Sequence, residues 1–138
     1  MLFGLGGFVF AMRSKLLVRQ LGEVGLVRFG ALLMAASLVV IAASPVWWLA
    51  IPACFVFGLG FYMMHNTLQI NATQMAPERR GAAVAAFASC FFIGQSAGVA
   101  AGGVLLEPLG TAPLLAAAGV GVAVIGERFA RLRAGKGG

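Results

Sequence analysis

Hydrophobic residues occur in this chain as long runs that no charged side chain interrupts. Residues 29–77, 81–106 and 108–126 contain no Lys, Arg, Asp or Glu. About 20 apolar residues span the hydrocarbon core of a bilayer, so runs of this length predict transmembrane helices. The first run is too long for one helix, and Pro45 is the place where a helix would end inside it.

The runs predict an all-α, polytopic transmembrane bundle of four full helices and the end of a fifth. The segments are a partial helix 1–12, a cytoplasmic basic loop 13–28, transmembrane helices 29–43, 46–75, 81–106 and 111–126, and a cytoplasmic basic tail 127–138. A helix over the first 12 residues reaches about 18 Å, short of the ~30 Å hydrocarbon core. We therefore expect 1–12 to be the second half of a helix and the chain to be part of a longer protein.

The charged residues between the predicted helices indicate how the chain is oriented. If residues 13–28 are cytoplasmic, all ten Lys and Arg residues fall on the cytoplasmic side, as the positive-inside rule requires. The C-terminus is then also cytoplasmic. The net charge of +6 is explained by basic loops that face anionic headgroups, so the bilayer is the expected partner and nucleic acid is not.

Composition excludes two other classes of protein. With 61% hydrophobic and 10% charged residues and a mean hydropathy of +0.98, the chain is too apolar for a soluble domain or a disordered segment. Its abundance of Arg, Ala and Gly is typical of a GC-rich bacterial genome, so we expect the bacterial cytoplasmic (inner) membrane. No nucleotide-binding loop, zinc-ligand spacing or catalytic constellation is present. We therefore expect no cofactor, no metal, no catalytic residues and no enzymatic activity.

Polar side chains inside the predicted spans are the candidates for a substrate cavity. Tyr62, Asn66 and Gln69 share one helix face, with His65 beside it, and Gln95 lies in the next span. Polar groups in hydrocarbon face a protein interior or a water-filled cavity. Two interpretations stay open: a cavity lining that contacts substrate or a proton, and hydrogen bonding between helices. His65 could titrate near neutral pH, which makes it the candidate for a proton relay.

Gly94, Gly98 and Gly102 form a stripe of small residues on the span 81–106. Small residues four apart allow another backbone to approach closely, so the stripe predicts helix packing. A compatible interpretation is that this helix rocks against its partner.

The sequence resembles the C-terminal part of a major facilitator superfamily (MFS) transporter, from the end of the eighth helix to the twelfth. The stretch 17–23, followed by Arg28 and Gly30, resembles the family's conserved loop motif between helices eight and nine, although it lacks an acidic residue that often precedes the Arg. Residues 77–81 resemble the loop between helices ten and eleven. The run from Gly81 to Gly110 is similar to helix eleven and its exit.

The resemblance implies a partial six-helix bundle from a transporter whose two bundles rock about a central cavity. It implies a small-molecule substrate, with proton-coupled efflux of drugs or sugars as one form, and an absent N-terminal half as partner. The fragment alone is then expected to be inactive. Loop residues that would hold a cytoplasmic gate are Arg19, Gly22, Arg28, Arg79, Arg80 and Gly81. For Arg79 and Arg80 a second interpretation stays open, a charge that only sets the orientation of the chain. The alternative is a small membrane subunit or modulator that associates through the Gly94, Gly98 and Gly102 face.

Overall fold

The fold is an all-α bundle, seen in a computed structural model that describes residues 1–135. This part contains four long helices and no strand: α1 Leu2–Ala43, α2 Ala50–Gln74, α3 Arg80–Leu109 and α4 Thr111–Ala134. Short 3-10 turns, Trp47–Leu49 and Pro77–Arg79, precede α2 and α3. All four helices are long and apolar enough to cross a membrane, which confirms the predicted fold class.

Helix α1 folds back on itself at Gly22. This residue has φ 63° and ψ 178°, a conformation that is essentially restricted to glycine. Phe10 and Leu26 on either side of the break belong to one buried cluster with Met63. In a straight helix they would be about 24 Å apart along the axis. Helix α1 is therefore a hairpin of two helical arms, named arm 1 (residues 2–21) and arm 2 (residues 23–43).

The two arms run in opposite directions along α2. Arm 1 is parallel to α2, because Phe3 meets Gly58 and Gly7 meets Tyr62. Arm 2 is antiparallel to α2, because Gly30 meets Gly60 and Glu23 meets Asn71.

The remaining helices continue the alternation. Helix α3 is antiparallel to α2, because Phe91 contacts Phe61 and Phe87 contacts His65. Helix α4 is antiparallel to arm 2, since Gly119 lies against Ala35 and Glu127 pairs with Arg28. A second glycine with the same backbone conformation, Gly110 (φ 76°, ψ 173°), separates α3 from α4.

Because the five segments alternate, the Lys and Arg residues within 1–135 all lie towards one end of the bundle, the charged end. This end includes the basic half of arm 1, the turn Pro77–Arg79 and the end of α4. The opposite end carries Glu107 and the exposed side chains of Trp47 and Trp48. Trp side chains favour the membrane–water interface.

Two predicted boundaries need correction. Residues 13–28, expected as a loop, are helical except at Gly22, since that single glycine suffices to reverse the chain. The expected tail 127–138 is helical as far as Ala134, and residues 136–138 lie outside the described part. A Glu127–Arg131 pair one turn apart and basic residues in the last turn stabilise this extension.

Glycines bring arm 2 close to α2 and α4, where the core lies. A Cβ added at Gly60 would lie 2.6 Å from the carbonyl oxygen of Gly30, and a Cβ at Gly126 would collide with the Ala31 side chain. Val27, one turn before Gly30 and Ala31 on arm 2, is fully buried. The helices therefore pack backbone against backbone, as small residues allow in membranes.

Candidate functional site

The polar face of α2 points away from arm 2. Helix α2 buries Gly60, Met63 and Thr67 on its arm 2 side, and at roughly 100° per residue Tyr62 and Asn66 lie on the opposite half of the helix. These two side chains are half-buried, as are those of His65 and Gln69. The polar face thus lies towards arm 1 and towards the space between arm 1 and α3.

Tyr62 belongs to the contact between α2 and arm 1. Its ring centroid lies 5.7 Å from that of Phe3 and 5.6 Å from that of Phe61, the latter edge-on. A Cβ at Gly7 would collide with the Tyr62 ring. The phenol therefore occupies space that a glycine on arm 1 leaves open.

His65 lies among aromatic rings on the side of α2 that meets α3. It stacks on Phe61 with 5.1 Å between centroids and meets Phe91 edge-on at 4.7 Å. Phe87 lies 5.3 Å away. His65 is therefore part of the aromatic contact that joins α2 to α3, where Gln95, one turn beyond Phe91, is exposed.

Asn66 lines a groove between arm 1, arm 2 and α2, which we call the arm groove. Its volume is about 520 Å³. The lining residues are Phe10, Ser14, Lys15, Val18, Arg19, Leu26, Asn66, Thr67 and Ile70. One of the predicted cavity residues and one of the predicted loop residues, Arg19, thus share a single groove.

A polar cluster joins three helices at the charged end. The Asn71 amide of α2 donates to the Glu23 carboxylate of arm 2 (3.1 Å) and to its own helix at the Thr67 carbonyl (2.9 Å). Arg133 of α4 donates to Glu23 (3.1 Å) and to the Asn71 side-chain oxygen. Asn71 is buried, whereas the two charged side chains are about 40% exposed.

A second ion-pair cluster lies beside the first and joins arm 2 to α4. Nε and Nη2 of Arg28 each donate to one carboxylate oxygen of Glu127, both at 2.9 Å. This bidentate arrangement fixes the orientation of the two side chains. Arg131 donates to the same carboxylate at 2.7 Å.

The other predicted loop residues differ in their surroundings. Gly22 forms the reversal of α1. Arg79, Arg80 and Gly81 are exposed at the junction of α2 and α3. Apart from its neighbours along the helix, no atom of residues 1–135 lies within 4 Å of a Cβ placed at Gly81. Within residues 1–135, neither of these two arginines pairs with a carboxylate.

The stripe of Gly94, Gly98 and Gly102 meets no other helix within the described chain. A Cβ at any of the three would have nothing within 4 Å, and α3 has no buried residue. The stripe continues the face that carries Phe87 and Phe91, so α3 touches α2 near the charged end and separates from it further on. Its role in helix packing stays a prediction.

Several residues of these clusters do not stand out in the sequence. Thr67 and Asn71 are one turn apart on the same face as Gly60, and this spacing is the signal that places them at a tight interface. The sequence predicts Glu127 and Arg133 as parts of a basic tail. They lie beside arm 2 because α4 continues as a helix as far as Ala134.

No group of three or more His, Cys, Asp or Glu residues in the part described could hold a metal ion. Cys54 and Cys90 are free thiols. No protein family, curated protein or solved structure compared with the chain matches it.

Proposed function

We propose that the chain is part of a secondary transporter of the MFS type, which moves a small solute and carries out no catalytic chemistry. The observation that carries the proposal is the polar face of α2. Within residues 1–135, none of Tyr62, His65, Asn66 and Gln69 forms a side-chain hydrogen bond. Of the two interpretations, hydrogen bonding between helices and a cavity lining, this favours the cavity, because polar groups in hydrocarbon must otherwise find partners.

The direction of the five segments supports the same proposal. Alternating segments with their Lys and Arg at one end fit a multi-pass protein whose charged end is cytoplasmic. The C-terminus is then cytoplasmic, and the bacterial inner membrane is the proposed location. The stretches 17–23 and 77–81, in which the sequence resembles loops of MFS transporters, lie at this end.

The packing suggests which parts move. Arm 2, α2 and α4 are joined by close glycine contacts and by the two polar clusters, whereas α3 is held mainly through His65 and its phenylalanines. Alternating access needs one group of helices to rock against another around a central site. In the proposed cycle, arm 2, α2 and α4 move as one unit and α3 changes its distance from α2. Proton coupling through His65 and efflux of drugs or sugars belong to this proposal, as does an N-terminal half that completes the central site.

The test is solute transport by the complete reading frame that contains this chain, including any upstream continuation. The frame is expressed in bacteria that lack their own efflux pumps, and a panel of drugs and sugars is assayed. Asn66→Ala and Gln69→Ala should each lower transport roughly 3- to 10-fold, the loss expected for one hydrogen bond. Thr73→Ala is the matched control, because within residues 1–135 the Thr73 hydroxyl bonds only to the Ile70 carbonyl of its own helix. Unchanged transport in both variants would reject the cavity assignment.

The exposed glycine stripe of α3 supports a second candidate function, a small membrane subunit or modulator that acts by helix association. A flat stripe of small residues is suited to the close approach of another helix. Gly98→Leu should then abolish cross-linking to a partner, whereas the same change at Gly121, which is also open within its own chain, should not. Loss of transport without loss of association would favour the transporter instead.

A further inference from the structure

The arm groove has an apolar inner part and a polar mouth. Phe10, Leu26 and Thr67 are buried at its inner end, where the cluster with Met63 closes it. Lys15 and Arg19 lie exposed nearer the charged end. The groove is therefore amphipathic along its length, and its charged mouth faces the end at which lipid headgroups would lie.

The two cations at the mouth are available to an external anion. Lys15 and Arg19 are one turn apart on arm 1, so their side chains lie on the same face. Within residues 1–135, neither forms an ion pair. Glu23 follows Arg19 by four residues, but the break at Gly22 removes the helical geometry that such a pair needs, and Glu23 binds Arg133 instead.

The groove wall between these cations and the closed end is mostly apolar, so it suits an alkyl chain better than a small ion. Val18 and Ile70 flank the mouth, and Phe10 and Leu26 form the inner surface. Ser14 and Asn66 add polar groups at the side, and the Asn66 amide has no hydrogen-bond partner within 1–135. A phosphate alone would leave most of this apolar surface uncovered.

We propose that the arm groove binds an anionic phospholipid of the bilayer, with its phosphate headgroup at Lys15 and Arg19 and an acyl chain along Phe10, Val18, Leu26 and Ile70. Basic pockets between transmembrane helices recognise anionic headgroups in this way. The site goes beyond the proposed function, because a lipid bound here would stabilise the α1 hairpin against α2 whether or not the chain transports a solute. A bilayer lipid is the occupant because the charged mouth lies at the end of the candidate membrane spans; a soluble alkyl phosphate has the same chemistry and is tested as the competing occupant.

The test uses the 138-residue chain in phosphatidylcholine nanodiscs that contain a small fraction of photoactivatable phosphatidylglycerol. Cross-links mapped by mass spectrometry should concentrate on Val18 and Ile70. The double variant Lys15→Gln/Arg19→Gln should lower this yield by on the order of 30-fold, because each basic residue near the surface contributes several-fold to anion binding. The charge-preserving variant Lys15→Arg/Arg19→Lys should retain it.

The matched control is Arg79→Gln/Arg80→Gln, which removes two charges from the same end but outside the groove, and circular dichroism checks that all variants stay helical. An equal loss in this control would overturn the proposal in favour of general surface attraction. Equal labelling by a phosphatidylcholine probe, or labelling spread evenly over the helices, would also overturn it.

Competition in the same nanodiscs separates the two sources of the amphiphile. Displacement by dodecyl phosphate at the same concentration as the phosphatidylglycerol would overturn the assignment to bilayer lipid in favour of a soluble amphiphile. Binding of phosphatidylglycerol without such displacement would assign the site to bilayer lipid. Displacement by inorganic phosphate at the same concentration as dodecyl phosphate would overturn the proposed role of the apolar wall.

Discussion

Glu23 and Arg133 lie 110 positions apart in the chain and form an ion pair with 3.1 Å between Oε2 and Nη2. The buried Asn71 side chain bonds to both of them. Arm 2, α2 and α4 are thereby joined at one point of the charged end, although no single helix contains two members of the cluster.

The buried member of this cluster should matter more to stability than its charged members. Asn71→Ala leaves polar groups without partners at a buried position, and we expect it to lower the free energy of unfolding by about 1–3 kcal/mol.

The ion pair is about 40% exposed, so a double-mutant cycle of Glu23→Gln and Arg133→Gln should give a coupling of about 1 kcal/mol or less. Chemical unfolding in detergent micelles measures the destabilisation by Asn71→Ala and the coupling energy of the ion pair. Asn66→Ala is the control, because the Asn66 side chain forms no hydrogen bond within residues 1–135. An equal effect of Asn71→Ala and Asn66→Ala would contradict the assignment.

Glycines at the helix contacts and glycines on the exposed stripe should respond oppositely to alanine. A Cβ at Gly30 or Gly60 would lie 2.7 or 2.6 Å from a carbonyl oxygen of the facing helix. Forcing the helices apart should cost about 1–3 kcal/mol in each variant. Within residues 1–135, a Cβ at Gly98 meets no other helix within 4 Å. Gly98→Ala should therefore be neutral or stabilising by up to about 1 kcal/mol, because alanine favours the helix. Thermal unfolding of Gly30→Ala, Gly60→Ala and Gly98→Ala checks this. A lower stability of Gly98→Ala would mean that another helix packs against the stripe.

At the two chain reversals, Gly22 and Gly110, a Cβ should be unfavourable because of the backbone conformation and not because of a clash. Gly22 and Gly110 have positive φ and extended ψ and yet have open space around them. Alanine at either position should therefore lower stability by about 1–3 kcal/mol through backbone strain. Gly121→Ala, at a helical position with similar open space, provides the comparison in chemical denaturation. Equal midpoints for Gly22→Ala and Gly121→Ala would show that the chain reverses elsewhere.

The sequence predicted the helices well because hydrophobic runs and the charges between them depend only on local composition. It did not predict that residues 13–21 continue a helix, because basic residues are compatible both with a loop and with the end of a helix. Gly22 was expected to act in a loop, and its role as a single-residue reversal depends on a φ value that the sequence does not encode directly.

The contacts of the candidate site were harder to foresee, because they depend on which helices meet. Gly94, Gly98 and Gly102 have the spacing of a packing surface, whereas the observed close approaches use Gly30, Gly60 and glycines of arm 1 and α4. Spacing shows that a helix face is flat but not whether a neighbour covers it. In the same way, Glu23 has Arg19 one turn away in sequence, but its partner is Arg133.

The attachment of α3 to α2 provides the last prediction, since it depends on one histidine and its phenylalanine neighbours. Phe91→Ala removes the edge-on contact with His65 and should increase amide hydrogen exchange along α3 several-fold, while α4, held by glycine contacts and ion pairs, stays protected. His65→Phe keeps an aromatic ring at the contact and should leave the exchange of α3 nearly unchanged. Ile93→Ala, in an exposed position of the same helix, is the matched control. Hydrogen exchange in nanodiscs followed by mass spectrometry measures all three, and equal exchange in Phe91→Ala and Ile93→Ala would mean that other contacts hold α3 in place.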